Sequence, residues 1–416
     1  MDKFVINGGK KLFGEINVPK AKNSYLAILA GCVLSSGVVV LHDCPQFVDV
    51  SKMLDILVLL GAKVKKIDRD VEIDCRYISN YKVPQDLAKQ IRSSIFLLGP
   101  IIGRLRRALV SYPGGCDIGS RPIDLHLKGL RSLNVEINEK FGMIECEAHD
   151  LKGNDFHLDY PSVGATENIM MAGVLAKGKT RIFNAAKEPE IVDLQNFINK
   201  MGGKIAGAGT DTIIVEGVES LSSCEYTPMA DRIVAGTYLL AGATCGGDIL
   251  VKDVKACHIY SLLNKLKDAG FDLEIKSDSI RLASSKRPVS FGKIETMPYP
   301  GFPTDMQPQA LVLQTISSGV CIVTENLFET RLKHVPELIK MGAKITMKDR
   351  MAIVTGVETL YGTEVCSTDL RAGAALTIAG MQAQGQTIVT NVHNIDRGYE
   401  KLDEAFCKLG ADIKRV

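Results

Sequence analysis

Leu60-Gly-Ala-Lys-Val64 closes one apolar run and opens the next, and the pattern returns five times. The other copies are Leu133-Asn-Val-Glu-Ile137, Met201-Gly-Gly-Lys-Ile205, Ala269-Gly-Phe-Asp-Leu273, Met341-Gly-Ala-Lys-Ile345 and Leu409-Gly-Ala-Asp-Ile413. Their first residues lie 73, 68, 68, 72 and 68 positions apart. Each copy ends an amphipathic run, such as Val48 to Leu60 or Leu194 to Met201. Glycine stops a helix there, and a β-branched strand follows.

A second element precedes each of these helices. It is a glycine turn with a β-branched run: Gly37-Val-Val-Val-Leu-His42, Gly178-Lys-Thr-Arg-Ile-Phe183, Gly247-Asp-Ile-Leu-Val251, Gly319-Val-Cys-Ile-Val323 and Gly385-Gln-Thr-Ile-Val389. The second copy is degenerate, with its strand at Arg107 to Ser111. A third element appears twice, as Gly217-Val-Glu-Ser-Leu221 and Gly356-Val-Glu-Thr-Leu360. Each unit reads as helix, strand, helix, strand, strand. Self-similarity at fixed spacing is a strong architectural signal. The fold class is α/β, six units of small mixed sheets with helices on one face. They divide as three plus three. One domain spans 21–229, and the other joins 1–20 to 230–416. The crossovers fall near residues 20 to 22 and at Pro228-Met-Ala-Asp231-Arg232.

Residues 1 to 20 read as a strand pair, Phe4 to Ile6 and Leu12 to Val18, turning at Gly8-Gly9. Residues 86 to 100 read as one helix ended by Gly99-Pro100, and Arg104, Arg106 and Arg107 as a solvated basic face.

The 416 residues are 46% hydrophobic, enough for sizeable cores. Fifty basic against 48 acidic side chains give a net charge of +2. That gives no electrostatic case for nucleic acid or a membrane surface as partner. Eleven cysteines, an odd number without CxxC, read as reduced thiols of a cytoplasmic protein. The N-terminus lacks the apolar core of a signal peptide. No apolar run reaches membrane-spanning length. The seven histidines form no metal pattern, and neither GxGxxG after a first strand nor a Walker A loop occurs.

Three stretches have no period and carry the chemistry. Ser111-Tyr-Pro-Gly-Gly-Cys116-Asp-Ile-Gly119-Ser-Arg121-Pro-Ile-Asp124-Leu-His126 combines a glycine turn, a thiol and a guanidinium. Backbone amides in such a turn cradle anions, arginine suits phosphate or carboxylate, and an electropositive setting lowers a thiol pKa. Whether Cys116 is nucleophile or general acid stays open from composition alone. Tyr160-Pro-Ser-Val-Gly164-Ala-Thr166-Glu167-Asn168 is a glycine turn into a helix; capping by Ser162 is its plain explanation. Pro298-Tyr-Pro-Gly-Phe-Pro303-Thr304-Asp305-Met-Gln-Pro308 is stiffened by prolines. Asp305 there is either a helix N-cap or a general base held by rigid backbone. Lys22 and Asn23 sit at a helix N-terminus, where orphan amides favour anions. Further charged helix starts fall at Arg331, Arg371 and Arg397.

Together, Pro113 to His126, Ser162 to Asn168, Pro300 to Gln307, Thr368-Asp-Leu-Arg371 and Asp396-Arg-Gly-Tyr399 resemble the enolpyruvyl transferase family over the whole chain. Within it they are most similar to members that use UDP-N-acetylglucosamine as acceptor. The resemblance implies an inside-out α/β barrel in each of two domains, built from three βαβαββ units apiece, with the active site between them. It implies transfer of the enolpyruvyl group of phosphoenolpyruvate to the sugar 3-hydroxyl through a tetrahedral ketal. That is the first committed step of peptidoglycan synthesis, and a fosfomycin target. No cofactor and no metal are implied, and the chain is expected to be a monomer or weak homo-oligomer. The resemblance makes Cys116, Asp305, Lys22 and Arg397 catalytic. Lys22, Arg121 and Arg397 would meet phosphate or carboxylate, with Arg371 on the carboxylate. Asn23, Arg92, Arg121, Pro122, Ile123, Asp124, Leu125, Val163, Gly164, Thr304, Asp305 and Leu327 would meet the nucleotide sugar, and Arg331 and Asp369 line the same site. Departures from the family pattern include Ser24-Tyr25 after Asn23, Asn134-Val135, and Val234. The alternatives are a transferase acting on shikimate 3-phosphate, which usually lacks the cysteine loop, and a silent homologue that only binds nucleotide sugar.

Overall fold

The computed structural model describes residues 2–114, 118–119, 122–284 and 286–416. Cys116 and Arg121 lie outside the described residues. The chain forms two compact units. Of the described residues, one holds 20–114 and 122–229. The other holds 2–19, 118–119 and those from 230 to 416.

All six repeat junctions turn in the left-handed region. Gly61, Asn134, Gly202, Gly270, Gly342 and Gly410 have φ of 111°, 66°, 100°, 90°, 91° and 95°. Asparagine is the other residue that tolerates this conformation, which is why the second copy keeps its helix stop without a glycine. Helix Val48–Leu60 ends at Gly61, as its pattern predicts.

In the unit of residues 230–416, three helices form the middle: Arg232–Cys245, Gln307–Ile316 and Leu370–Gln382. They are buried almost end to end. Helices apolar on all sides belong in an interior. Three four-stranded sheets carry alternating burial, one face on these helices and one in water. In the contiguous example, strand Lys293–Glu295 pairs parallel with Val320–Thr324, which pairs antiparallel with Met351–Thr355. Lys344–Lys348 closes the edge. This is a βαβαββ unit with helices Gln307–Ile316 and Val335–Lys340 between its strands. The unit of residues 20–229 repeats the scheme around Lys22–Cys32, Leu98–Leu105 and Val163–Gly173. Its middle sheet has three strands, and Lys82 bridging Leu109 stands where the fourth would run.

The N-terminal strand pair is a correction. Phe4–Asn7 pairs with Gln386–Thr390 and Asp412–Arg415, while Leu12–Asn17 pairs with Gly247–Lys252 in another sheet. Gly8-Gly9 is therefore a corner between sheets. A Cβ on Gly8 would come 2.1 Å from the Ala383 carbonyl oxygen, so only glycine fits there.

The single helix at 86–100 is a second correction. A turn of helix at Gln85–Ala88 stops, a 3-10 turn Arg92–Leu97 follows, and helix Leu98–Leu105 starts from it. Pro100 lies in that helix's first turn, where a missing N–H costs nothing. Nor are all the following arginines solvated. Arg104 donates to the carbonyls of Val33 (2.9 Å) and Ser35 (2.5 Å), and Arg106 to Gly103 and Leu175. Only Arg107 makes an exposed ion pair, with Glu145 at 3.0 Å.

Candidate active site

Asp305 is the centre of the first constellation. It sits in the 3-10 turn Thr304–Met306, which runs into helix Gln307–Ile316. Each oxygen of its carboxylate accepts from a guanidinium group. Arg331 Nη2 donates to Oδ1 at 2.6 Å, and Arg371 Nη2 to Oδ2 at 3.1 Å. The two arginines are 1% and 2% exposed, whereas the Asp305 side chain is 27% exposed. A half-open carboxylate is thus aimed by two buried cations. The Nε atoms of both arginines, and Nη1 of Arg371, have no hydrogen-bond partner among the described residues. Buried donors of that kind suit an anion.

Asp369 caps helix Leu370–Gln382, accepting from the Arg371 and Ala372 amides at 2.9 and 3.1 Å. It lies 3.9 Å from Arg331 Nη1, too far for a hydrogen bond. His334 is fully buried with Nδ1 3.2 Å from the Arg331 carbonyl, and burial holds its imidazole neutral. Thr304 does not offer its hydroxyl outward: it donates to Glu325 at 2.9 Å. Glu325 is fully buried and also accepts from Thr296 Oγ1 (2.8 Å) and the amides of Leu327 (2.9 Å) and Phe328 (3.2 Å). One carboxylate therefore ties the Thr304–Asp305 turn to the segment carrying Leu327 and Arg331. Arg397 ends the 3-10 turn Val392–Arg397 and is half-buried; it starts no helix.

In the unit of residues 20–229, Lys22 is the first residue of helix Lys22–Cys32 and is buried. Its ammonium lies 3.1 Å from Asp49, equally buried in the first turn of Val48–Leu60. A cation at a helix N-terminus opposes the helix dipole, and Asp49 offsets this. Asn23 beside it is exposed. Arg92, the Pro122–Leu125 segment and Val163–Gly164 are far apart in sequence, but one amide joins their segments. Asn168 Nδ2 donates to the Ile95 carbonyl (2.9 Å) and to His126 Nδ1 (2.7 Å), and Oδ1 accepts from the Gly99 amide (2.8 Å). The Gly99 bond fixes the amide's direction, so His126 Nδ1 is an acceptor. A Cβ on Gly164 would come 2.9 Å from both the His126 and Phe96 rings. Ile123 is buried, while Pro122 and Asp124 are exposed. Ser162 caps Val163–Gly173 by accepting from the Ala165 amide. Thr166 binds the Ser162 carbonyl and the Ala186 amide, so both hydroxyls serve the fold.

Asp49, Glu325 and Asn168 are the organising residues that sequence reasoning missed. Asn168 stands inside a quoted motif, and Glu325 lies two residues before Leu327. Asp49 had no signal beyond being acidic in a first helical turn. The ten described cysteines are all free thiols. Burial pushes Cys75, Cys146 and Cys245 up to about 12, and Cys224 and Cys321 to about 11. Among the described residues no helix is long and apolar enough to cross a membrane.

The fold belongs with the enolpyruvyl transferases. A family profile for EPSP synthase (3-phosphoshikimate 1-carboxyvinyltransferase) matches residues 6–406. The enolpyruvyl transferase NikO from Streptomyces tendae superposes with a TM-score of 0.90 at 24% identity, covering 100% of this chain and 99% of that one. EPSP synthase from Acinetobacter baumannii gives 0.77 at 17% identity, with both chains fully covered. The relatives by sequence are narrower in kind. UDP-N-acetylglucosamine 1-carboxyvinyltransferase 2 of Caldanaerobacter subterraneus is 51% identical over 416 residues, with both chains fully covered. UDP-N-acetylglucosamine 1-carboxyvinyltransferase 1 of Carboxydothermus hydrogenoformans is 48% identical over 418 residues, covering 100% of this chain and 99% of that one. The chain belongs to the UDP-N-acetylglucosamine 1-carboxyvinyltransferase family.

Proposed function

We propose that the chain transfers the enolpyruvyl group of phosphoenolpyruvate to the 3-hydroxyl of UDP-N-acetylglucosamine, releasing phosphate. The observation that carries this is the Asp305 carboxylate held between buried Arg331 and Arg371. A base must be aimed at one hydroxyl, and a trianionic co-substrate needs cations around it. Asp305 removes the proton of the sugar hydroxyl as its oxygen bonds to C2 of phosphoenolpyruvate. Cys116 delivers a proton to C3, giving the tetrahedral ketal. Loss of a C3 proton then expels phosphate and restores the double bond. Lys22, Arg121 and Arg397 neutralise phosphate and carboxylate, with Arg371 on the carboxylate. Asn23, Arg92, Pro122 to Leu125, Val163, Gly164 and Leu327 receive the nucleotide sugar. Thr304 contributes by backbone, because its hydroxyl is committed to Glu325.

The reading places the reaction at the first committed step of peptidoglycan synthesis, in the cytoplasm. The ten free thiols among the described cysteines support that compartment. The shikimate 3-phosphate alternative has the family profile in its favour, and the full-length relatives at 51% and 48% identity against it. Calorimetry decides between them. UDP-N-acetylglucosamine should bind and shikimate 3-phosphate should not; the reverse would overturn the acceptor assignment.

A further inference from the structure

We propose that Tyr399 is a positioning residue that fixes Arg371 for the anionic co-substrate. The proposal rests on the enolpyruvyl reading above. Tyr399 is 2% exposed. The Arg371 guanidinium carbon lies 5.2 Å from its ring centroid, within cation–π range. A guanidinium held by a ring keeps its N–H edge for an anion, and Arg371 Nε and Nη1 make no well-formed hydrogen bond among the described residues.

The hydroxyl has its own anchor. It lies 3.0 Å from Thr237 Oγ1 and 3.0 Å from Gln309 Nε2, which is 3.1 Å from Thr237 Oγ1. Thr237 spends its proton on the Ile233 carbonyl at 2.8 Å. Tyr399 therefore donates to Thr237 and accepts from Gln309. Thr237, Gln309 and Arg371 come one each from the three central helices Arg232–Cys245, Gln307–Ile316 and Leu370–Gln382. A buried tyrosine in ordinary packing needs one hydroxyl partner and no cation. This one ties all three helices to the chain that leaves the Val392–Arg397 turn, and its amide donates to Ile395 within that turn at 3.0 Å. Ring and hydroxyl weigh differently: the ring seats Arg371, while the hydroxyl, itself close to that guanidinium, is held by Thr237 and Gln309 and so holds the ring.

Two variants and one background separate these tasks. Y399F keeps the ring and should hold kcat/KM for phosphoenolpyruvate within about threefold of the parent. Y399L removes the platform and should lower it about 10- to 30-fold, with KM for UDP-N-acetylglucosamine within about twofold. On an R371A background, Y399L should cost less than about threefold more. Titration calorimetry with phosphoenolpyruvate reads the same ranking without turnover. If the parent protein releases no phosphate, the enolpyruvyl reading fails by itself, and the calorimetric ranking still decides on Tyr399. Equal losses in Y399F and Y399L, a Y399L that matches the parent, or full additivity with R371A would each overturn the proposal.

Discussion

Replacing Glu325 with alanine should cost far more than an average point substitution. The side chain is fully buried and accepts four hydrogen bonds, from Thr296, Thr304, Leu327 and Phe328, at 2.8 to 3.2 Å. Two of the donors are buried hydroxyls that alanine would strand, at about 1–3 kcal/mol each. The two amides belong to half-buried residues and reach water more easily, losing about 1 kcal/mol each. The total is about 4–8 kcal/mol, at the diagnostic end of single-residue effects. Glu325→Gln keeps the volume. Its oxygen can retain the three bonds now made by Oε1, so its cost should be about 1–2 kcal/mol. Guanidinium unfolding gives the energies, and hydrogen exchange of peptides spanning 293–331 locates them. Glu325→Ala should also lower kcat at least about tenfold, because a misplacement near 1 Å in the Thr304–Asp305 turn is enough for that. A Glu325→Ala protein within about 1 kcal/mol of the parent, with unchanged exchange, would refute the reasoning. So would a glutamine variant as unstable as the alanine one.

Asp305→Asn should lower kcat by about 10²–10⁴ while UDP-N-acetylglucosamine still binds by calorimetry; near-normal turnover would remove the base assignment. Cys116→Asp should retain activity yet resist alkylation by fosfomycin, and peptide mapping of the parent should find the inhibitor on Cys116 rather than on the exposed Cys257 or Cys407. Arg397→Ala should depress turnover at saturating substrate with little change in melting temperature, since it removes a charge-assisted bond to the transition state. The Glu167 carboxyl is held well above its ordinary range, first by burial and then by Glu190 and Glu188. A raised folded pKa gives stability that is complete below the unfolded value and is lost as pH rises through the folded one. Glu167→Gln should therefore match the parent below about pH 4 and melt higher than it at pH 8, and parallel melting curves across that range would exclude this.

The repeat made the fold legible. Six helix stops in one sequence pattern became six left-handed turns, and one of them survives as Asn134 because asparagine tolerates that conformation. The N-terminal pairing was not legible. Gly8-Gly9 looks locally like a hairpin turn, and only the carbonyls of Ala383 and Gly380, nearly four hundred residues away in sequence, make it a corner. Gly99-Pro100 misled in the same way, since proline begins a helix as readily as it follows one. For the site, local chemistry singled out Asp305, Arg331 and Arg371, but not that both arginines grip one carboxylate. Lys22 reads locally as an anion ligand, and its buried partner Asp49 lies on another helix, where no spacing rule reaches. Glu325 shows the same limit: its four donors span residues 296 to 328, and only folding assembles them.

Phosphate release from phosphoenolpyruvate, followed with and without acceptor sugar, tests the central claim most directly. The account expects release only when UDP-N-acetylglucosamine is added, one phosphate per molecule of 3-O-enolpyruvyl ether found by mass spectrometry. Release driven instead by shikimate 3-phosphate, or none with either acceptor from a folded protein that binds both substrates, would contradict it.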